Sequence, residues 1–175
     1  MARRICAQVL LTLLCAASSM AFAKDRPDAG DIPPDDLGKS VQGEPVRISD
    51  HAGKIVIVSF WASWCPPCRK EIPVLEQIQK AAGMENLRVF SINIESRENF
   101  RALRRALSKS AVTIINDPNN SISARYGVNG IPHMVIIGRD GKIASVHLGY
   151  DEKALPELVD EINALWRKGQ SPPSS

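Results

Sequence analysis

The sequence predicts an α/β fold in which one central mixed β-sheet is flanked by helices. Apolar, β-branched runs alternate with segments of helical periodicity between residues 44 and 126, the order expected of parallel strands joined by right-handed crossovers. Two further strand-like runs flank the turn residues 138–141, which indicates an antiparallel hairpin at one edge of the sheet. The 175 residues are enough for one domain with one ordinary core.

The first predicted elements surround a pair of cysteines. Residues 44–48 predict a short strand, and the continuous apolar run 54–60 predicts a strand that is covered on both faces. A helix is expected from 65 to about 82, because apolar residues then recur at helical spacing and Gly83 can end it. Pro73 falls inside this helix and is expected to kink it.

The next elements continue the alternation of strands and helices. Residues 87–94 and 111–115 each predict a strand, and an amphipathic helix is predicted between them at 101–108. The polar face of that helix carries the arginines Arg101, Arg104 and Arg105. Such a stretch is typical of a solvated helix face or of a binding patch, and we interpret it as the solvated face.

The predicted domain ends with a hairpin and a helix. About one helical turn is expected at 122–126, and strands at 134–137 and 142–147 form the hairpin. The last helix is marked by one continuous apolar face, made by Leu155, Leu158, Val159, Ile162, Leu165 and Trp166.

Cys65 and Cys68 stand at the junction between the apolar strand and the helix that follows it. The N-terminus of a helix supplies unpaired N–H groups and the positive end of the helix dipole, and both favour a thiolate. Cys65 lies in the first turn and is the expected attacking sulfur, whereas Cys68 is the expected resolver that closes the disulfide. A static structural disulfide is the weaker alternative, because so short a bridge gains little chain entropy.

The first 23 residues are typical of a secretory signal peptide. Arg3 and Arg4 precede a mostly apolar segment, and small residues at its end indicate cleavage after Ala23. A retained membrane anchor is the weaker alternative, because the strongly apolar part is shorter than the roughly 20 residues of a span. The predicted organisation is a signal peptide at 1–23, a flexible leader at 24–40, a domain at 41–168 and a disordered tail at 169–175.

Several functions are excluded by composition and by the cysteine count. Cleavage would remove Cys6 and Cys15, which leaves Cys65 and Cys68 with only three histidines scattered along the chain, a weak basis for a four-ligand zinc site. The net charge of +3 is small, and no aromatic residues alternate with the basic ones, so nucleic-acid binding is not expected. We expect neither a metal nor an organic cofactor.

Two segments resemble the thioredoxin superfamily, and within it the exported TlpA/ResA-like thiol-disulfide oxidoreductases. The segment 60–73, Phe-Trp-Ala-Ser-Trp-Cys-Pro-Pro-Cys-Arg-Lys-Glu-Ile-Pro, is similar to the active-site segment of that family. The segment 126–133, Tyr-Gly-Val-Asn-Gly-Ile-Pro-His, is similar to the loop that carries its cis-proline. The resemblance covers about 41 to 166 and implies a thioredoxin-like fold with the TlpA/ResA-type central helix-strand insertion.

This resemblance also implies roles for four residues near the cysteines. Pro132 is expected in the cis form, with the backbone of Ile131 turned toward a substrate chain. Trp64 is expected to shield the attacking sulfur and to contact substrate. Glu71 is expected to take the proton from Cys68, because Ser59 stands where thioredoxin has a buried Asp; a solvated glutamate, or a mate for Lys70 or Arg69, is the alternative.

The sequence departs from the family pattern at two places. An aromatic Pro-Asp-Phe element, which often precedes the first strand of the family, is absent from the leader. His133 follows the expected cis-proline, where many relatives carry Thr or Glu. Its imidazole is expected either to tune Cys65 by charge or only to cap the sheet.

We expect a monomeric periplasmic thiol-disulfide oxidoreductase that acts as a reductant of disulfides in substrate proteins. Implied substrates are apocytochrome c or a copper-site protein, and the implied electron donor is a membrane protein of the DsbD/CcdA type. Pro66 and Pro67 support reduction, because they place no charge and no donor between the cysteines. The alternatives are a general disulfide oxidase or isomerase, and a Cu(I) carrier that uses Cys65 and Cys68 as a thiolate pair.

Overall fold

A computed structural model of the protein describes residues 26–168. The predicted signal peptide, with Cys6 and Cys15, and the predicted tail at 169–175 lie outside the described residues. The strands are β1 (Asp36–Lys39), β2 (Pro45–Arg47), β3 (Ile55–Trp61), β4 (Leu87–Asn93), β5 (Thr113–Asn116), β6 (His133–Ile137) and β7 (Ile143–Leu148). The α-helices are α1 (Pro66–Ala82), α2 (Arg97–Leu107), α3 (Ser121–Arg125) and α4 (Leu155–Lys168), and short 3₁₀ turns span Ser49–His51 and Glu152–Ala154.

Five strands form one mixed sheet in the order β5-β4-β3-β6-β7. β3, β4 and β5 run parallel, β6 is antiparallel to β3, and β7 is antiparallel to β6. The α/β prediction with a mixed sheet and an antiparallel edge is therefore confirmed. Trp61, Asn93 and Asn116 lie side by side in the register of the three parallel strands. The carboxyl ends of these strands consequently share one edge, and the cysteine pair follows β3 at that edge.

Both faces of the sheet are buried by the elements packed on them. Alternate side chains of β3 point to opposite faces, and every residue of the strand is buried, as its continuous apolar run predicts. One face packs against α1 and α4 through Leu75, Leu158 and Ile162. The other is covered by β1, β2 and α3, with Leu37 and Ile122 in its core. Within residues 26–168, no helix combines the length and apolar composition that crossing a membrane requires.

The chain enters the folded structure earlier than the predicted domain start at 41. β1 lies inside the predicted flexible leader, pairs antiparallel with β2, and buries Leu37 completely. Residues before β1 also bond to the sheet: Gly30 N–H donates to Ile143 O at 2.8 Å, and Ile143 N–H donates to Asp31 O at 2.9 Å. At the opposite edge Val41 N–H donates to Ile114 O at 2.9 Å. The prediction of a flexible leader up to residue 40, which rested on Pro, Asp and Gly content, is therefore wrong for the residues that make these backbone hydrogen bonds.

Helix α2 begins at Arg97, four residues before the predicted start at 101. Ser96 caps it, because its hydroxyl oxygen accepts a hydrogen bond from Asn99 N–H at 3.3 Å. The first turn is polar and exposed apart from Phe100, so its apolar periodicity is weak. The capping serine is the signal that identifies this helix start.

Candidate functional site

Cys65 and Cys68 form a disulfide at the start of α1. Their Cα atoms are 5.3 Å apart, and Cys65 is the N-cap residue of the helix. Cys68 N–H points at the Cys65 sulfur, with 3.3 Å between nitrogen and sulfur. Cys65 is 4% exposed and Cys68 is fully buried, so only Cys65 is open to an incoming disulfide.

The dipeptide between the cysteines limits how strongly the helix end can favour a thiolate. Pro66 and Pro67 occupy the first two helical positions and carry no N–H groups. The N–H of Cys68 is thus the first in the helix that can donate to the sulfur of Cys65. The helix dipole still favours the Cys65 thiolate, but two of the amide donors that a first turn usually offers are missing.

The loop before β6 closes over the cysteine pair. The Ile131–Pro132 peptide bond is cis, as the resemblance implies. Ile131 O lies 3.9 Å from the Cys65 sulfur, a contact rather than a hydrogen bond because a disulfide sulfur carries no proton. The side chain of Ile131 packs against the cluster formed by Trp61, Cys65 and Cys68. This loop therefore presents its backbone next to the sulfur at which a substrate would react.

The two tryptophans flanking the loop after β3 have opposite environments. Trp61 is buried beside the disulfide, whereas Trp64 is 64% exposed. A large exposed ring next to the accessible cysteine offers a flat apolar surface to a bound polypeptide. Trp61 therefore belongs to the core, whereas Trp64 stays the candidate contact for substrate.

Glu71 is buried, although it belongs to the first half of an amphipathic helix. Its side chain is 2% exposed, and Ser59 Oγ on β3 donates to its Oε1 at 2.6 Å. Lys70 instead pairs with Glu152 at the surface, at 3.0 Å. The interpretation of Glu71 as a solvated glutamate or a partner of Lys70 is therefore wrong. Glu71 follows Cys68 by three positions, a spacing that makes two side chains neighbours on a helix.

Burial raises the pKa of Glu71 from 4.5 to about 7, and the hydrogen bond from Ser59 offsets only part of this effect. A carboxyl group with such a pKa can both take up and release a proton near neutral pH. Glu71 stands three positions after the buried Cys68 on the same helix, so it is the candidate group for proton transfer to or from this thiol.

A second buried carboxylate, Glu95, supports the loop that precedes the cysteines. Ser63 N–H donates to Glu95 Oε2 at 2.7 Å, and Ser63 Oγ donates to Oε1 at 3.0 Å. Asn93 Nδ2 also donates to Oε2, at 2.9 Å. Asn116 Nδ2 completes the cluster by donating to Glu95 O at 2.8 Å. Burial alone would raise the pKa of Glu95, but the hydrogen bonds from Asn93 and Ser63 lower it below its ordinary value.

The sequence pattern did not identify this cluster as part of the site. Asn93 and Asn116 end neighbouring parallel strands, and Ser63 follows a third. Polar residues at the carboxyl ends of adjacent parallel strands meet at one edge, so this spacing was a usable signal. The two buried carboxyl groups differ in hydrogen bonding: one donor leaves Glu71 with a raised pKa, whereas three donors keep Glu95 ionised.

Replacing Glu95 with glutamine is expected to destabilise the protein at pH 7 by about 2 kcal/mol, because one charged acceptor of buried donors is lost. The effect should shrink in acid. A lowered pKa in the folded state means that the stabilisation is present above the ordinary pKa and disappears as Glu95 becomes protonated. Urea unfolding at pH 7 and at pH 3 measures the destabilisation and its decrease in acid, and Glu44→Gln, at an exposed position, is the matched control. Equal effects of the two substitutions would remove Glu95 from the support of the loop.

His133 is buried at 2% exposure on the sheet face opposite α1. Its ring meets Phe60 edge-on, with centroids 5.9 Å apart. Burial, with a smaller contribution from Arg26, lowers its pKa, so the imidazole is uncharged at neutral pH. Of the two interpretations of His133, the structure favours packing at the end of the sheet over tuning Cys65 by charge.

Among residues 26–168, no cluster of three or more His, Cys, Asp or Glu side chains is arranged to hold a metal ion. The two cysteines are bonded to each other. What the arrangement offers chemically is an accessible sulfur, a buried partner sulfur, a titratable carboxyl group beside it, and a backbone edge next to the reacting atoms.

Comparison with known proteins gives consistent matches across this region. A family model described as Redoxin matches residues 28–162. The thioredoxin-like protein YneN of Bacillus subtilis (strain 168) is 34% identical over 135 residues, covering 75% of this chain and 78% of YneN. The thiol-disulfide oxidoreductase ResA of Geobacillus thermodenitrificans (strain NG80-2) is 25% identical over 147 residues, covering 81% and 84% of the two chains.

A solved structure extends the similarity to three dimensions. The crystal structure of a Chlorobium tepidum protein assigned as the thiol:disulfide interchange protein DsbE superposes with a TM-score of 0.73 at 31% identity. The match covers 80% of this chain and 99% of that protein. The thioredoxin-like fold implied by the sequence is thereby confirmed, including a helix and a strand, α2 and β5, between β4 and α3.

Proposed function

Because this chain belongs to the Redoxin family and is a thiol-disulfide oxidoreductase of the ResA and DsbE type, we propose that it reduces disulfides in substrate proteins rather than forming them. The observation that carries this direction is the pair Pro66 and Pro67 at the start of α1. A strong oxidant owes its potential to a heavily stabilised thiolate in the reduced form. Here two amide donors are missing beside Cys65 and no cationic side chain stands between the cysteines.

The proposed reaction transfers two electrons and two protons from the dithiol to a substrate disulfide. The Cys65 thiolate attacks one substrate sulfur, a mixed disulfide forms, and the other substrate sulfur leaves as a thiolate. Glu71 then takes the proton from Cys68, and the Cys68 thiolate attacks the Cys65 sulfur. This second attack forms the Cys65–Cys68 disulfide and releases the second substrate thiolate. The proton held by Glu71 and the proton that Cys65 lost to solvent on ionising then neutralise the two substrate thiolates. During the first step, Trp64 and the backbone of Ile131 beside Pro132 hold the substrate chain.

The proposed setting is the periplasm, reached through a signal peptide that is cleaved after Ala23. A reductant in an oxidising compartment must be reduced again, so its electron donor would be a membrane protein of the DsbD/CcdA type. Disulfides of apocytochrome c, or of a copper-site protein that awaits its metal, are the proposed substrates. The protein would act on them as a monomer, without a cofactor of its own.

Equilibration with glutathione buffers should give the Cys65–Cys68 disulfide a reduction potential nearer the roughly −270 mV of thioredoxin than the roughly −120 mV of DsbA. Missing amide donors and the nearby carboxyl group of Glu71 both disfavour the thiolate, which makes the disulfide the more stable form. Pro67→His should shift the potential toward DsbA, whereas Pro67→Ala, which restores only an N–H group, should shift it less. A wild-type potential at the DsbA end would instead make the protein an oxidase, and the proposed substrates would then be wrong.

A further inference from the structure

A positively charged cleft lies between the turn that joins β1 to β2 and one face of α2. Its volume is about 440 Å³. Four cationic side chains line it, and none of its lining residues is an Asp or a Glu; the cations are Lys39, Arg97, Arg101 and Arg104. Phe100 and Asn116 also line the cleft. Arg101 and Arg104, which the helix pattern assigns to the solvated face, thus converge with Arg97 from the first turn of α2 and with Lys39 from β1.

Most of this charge has no partner within the part of the chain that the structure describes. The exposed side chains of Lys39, Arg97 and Arg101 make no hydrogen bond or ion pair with residues 26–168. Arg104 is different, because its Nη2 donates to Val41 O at 2.8 Å and so joins the helix to the turn opposite. The cleft therefore has one fixed cation in its wall and three free ones.

The cleft and the cysteine pair open on the same edge of the sheet. Asn116 at the cleft lies beside Asn93, and Asn93 lies beside Trp61, in the register of the parallel strands. Neighbouring strands are about 4.8 Å apart, which puts Asn116 roughly 10 Å from the end of β3. An extended polypeptide covers about 3.3 Å per residue, so a chain reacting at Cys65 can reach the cleft in about five or six residues.

We propose that this cleft binds an acidic segment of the disulfide-bearing polypeptide that reacts at Cys65. The proposal rests on the proposed function and adds a recognition element to it. Arg97, Arg101 and Arg104 follow one another at helical spacing and extend over about 10 Å of helix axis. That length suits several carboxylates spread along a chain better than one compact phosphate group. Binding there would select substrates by the charge near their cysteines and speed their encounter with the thiolate.

Two synthetic peptides test this selection. Both contain one intramolecular disulfide, and about six residues away one carries three glutamates where the other carries three glutamines. The reduced wild-type protein should reduce the acidic peptide roughly fivefold faster at low ionic strength, and 0.5 M NaCl should abolish the difference. The double variant Arg97→Gln/Arg101→Gln should reduce both peptides at the same rate. Arg105→Gln, which removes one charge from the same helix outside the cleft, should keep the preference, whereas Arg101→Gln, which removes one charge inside it, should weaken it.

A direct binding measurement separates the cleft from the redox reaction. A fluorescent, cysteine-free form of the acidic peptide should bind the oxidised protein, and the double variant should lose this binding. If neither disulfide peptide is reduced while this peptide still binds, the proposed direction of reaction fails and the cleft stands. Equal rates for both peptides in the wild type would overturn the proposal. The proposal would also be overturned if Arg105→Gln lost as much peptide binding as the double variant, or if millimolar inorganic phosphate displaced the peptide.

Discussion

Replacing Cys68 with serine is expected to stop turnover and to leave the protein covalently bound to its substrate through Cys65. The accessible sulfur can still attack a substrate disulfide, but no second thiol then stands behind it. Intramolecular attack by a positioned group carries effective molarities of 10⁵ M or more, so its loss should slow release of the substrate by at least about 10³-fold. Cys68 is fully buried in the wild type, which leaves it no role in the first attack.

The trapped species can be measured with a peptide that contains a Cys-x-x-Cys-His disulfide. Mass spectrometry of Cys68→Ser after mixing should show the protein plus one peptide, with one peptide thiol free. Cys65→Ser is the matched control, because it removes one sulfur of the same pair, and it should form no adduct. An adduct with Cys65→Ser but not with Cys68→Ser would reverse the roles of the two cysteines.

Glu71→Gln should slow the second step, in which the mixed disulfide is resolved, by about 10²-fold at pH 8. In the wild type, the rate of this step should rise with pH as the carboxyl group, with a pKa of about 7, becomes able to accept the proton from Cys68. Glutamine cannot accept it, so the rise near pH 7 should disappear from the profile. Stopped-flow measurement between pH 5 and pH 9 tests this, with the exposed Glu157→Gln as the control. Unchanged rates in Glu71→Gln would leave this residue without a part in proton transfer.

The same substitution should change how the stability of the oxidised protein depends on pH. Because the pKa of Glu71 is raised in the folded state, its neutral form is favoured there, and stability is lost as pH rises from 4.5 to about 7. This shift corresponds to about 3 kcal/mol. In Glu71→Gln this loss of stability should vanish, so the free energy of unfolding of the variant should rise relative to that of the wild type between pH 5 and pH 8. Denaturant unfolding at these two pH values provides the measurement, and parallel curves for both proteins would argue against a neutral buried carboxyl group.

The elements that bury continuous apolar runs could be predicted from the sequence, together with the cysteine pair between them. β3 is the clearest case, since an uninterrupted β-branched run has few alternatives to a strand covered on both faces. Helix α4 is another, because its apolar residues recur at one period. The resemblance of two short segments added the cis form of the Ile131–Pro132 bond, which no periodicity indicates.

Features that depend on contacts between distant segments could not be predicted in this way. Whether Glu71 is buried depends on how α1 lies on β3, where Ser59 meets it. Glu95 contributes through Ser63, which is 32 residues away in the chain, and their meeting follows from the strand order. The basic cleft arises because Lys39 at the end of β1, and the turn that follows it, lie beside α2. Composition and spacing describe each segment separately and do not predict which distant segments contact each other.

The backbone bonds made by the segment before β2 have a consequence for solubility. A sheet whose outer strands are open can pair with the outer strands of other molecules, which leads to aggregation. Here the segment before β2 makes backbone hydrogen bonds to both outer strands of the sheet: Gly30 and Asp31 bond to Ile143 on β7, and Val41 bonds to Ile114 on β5. Residues that were predicted as a flexible leader therefore occupy hydrogen-bonding groups of the outer strand β7 and oppose edge-to-edge association. A protein that begins at residue 41 would lose the bonds of Gly30 and Asp31 to β7.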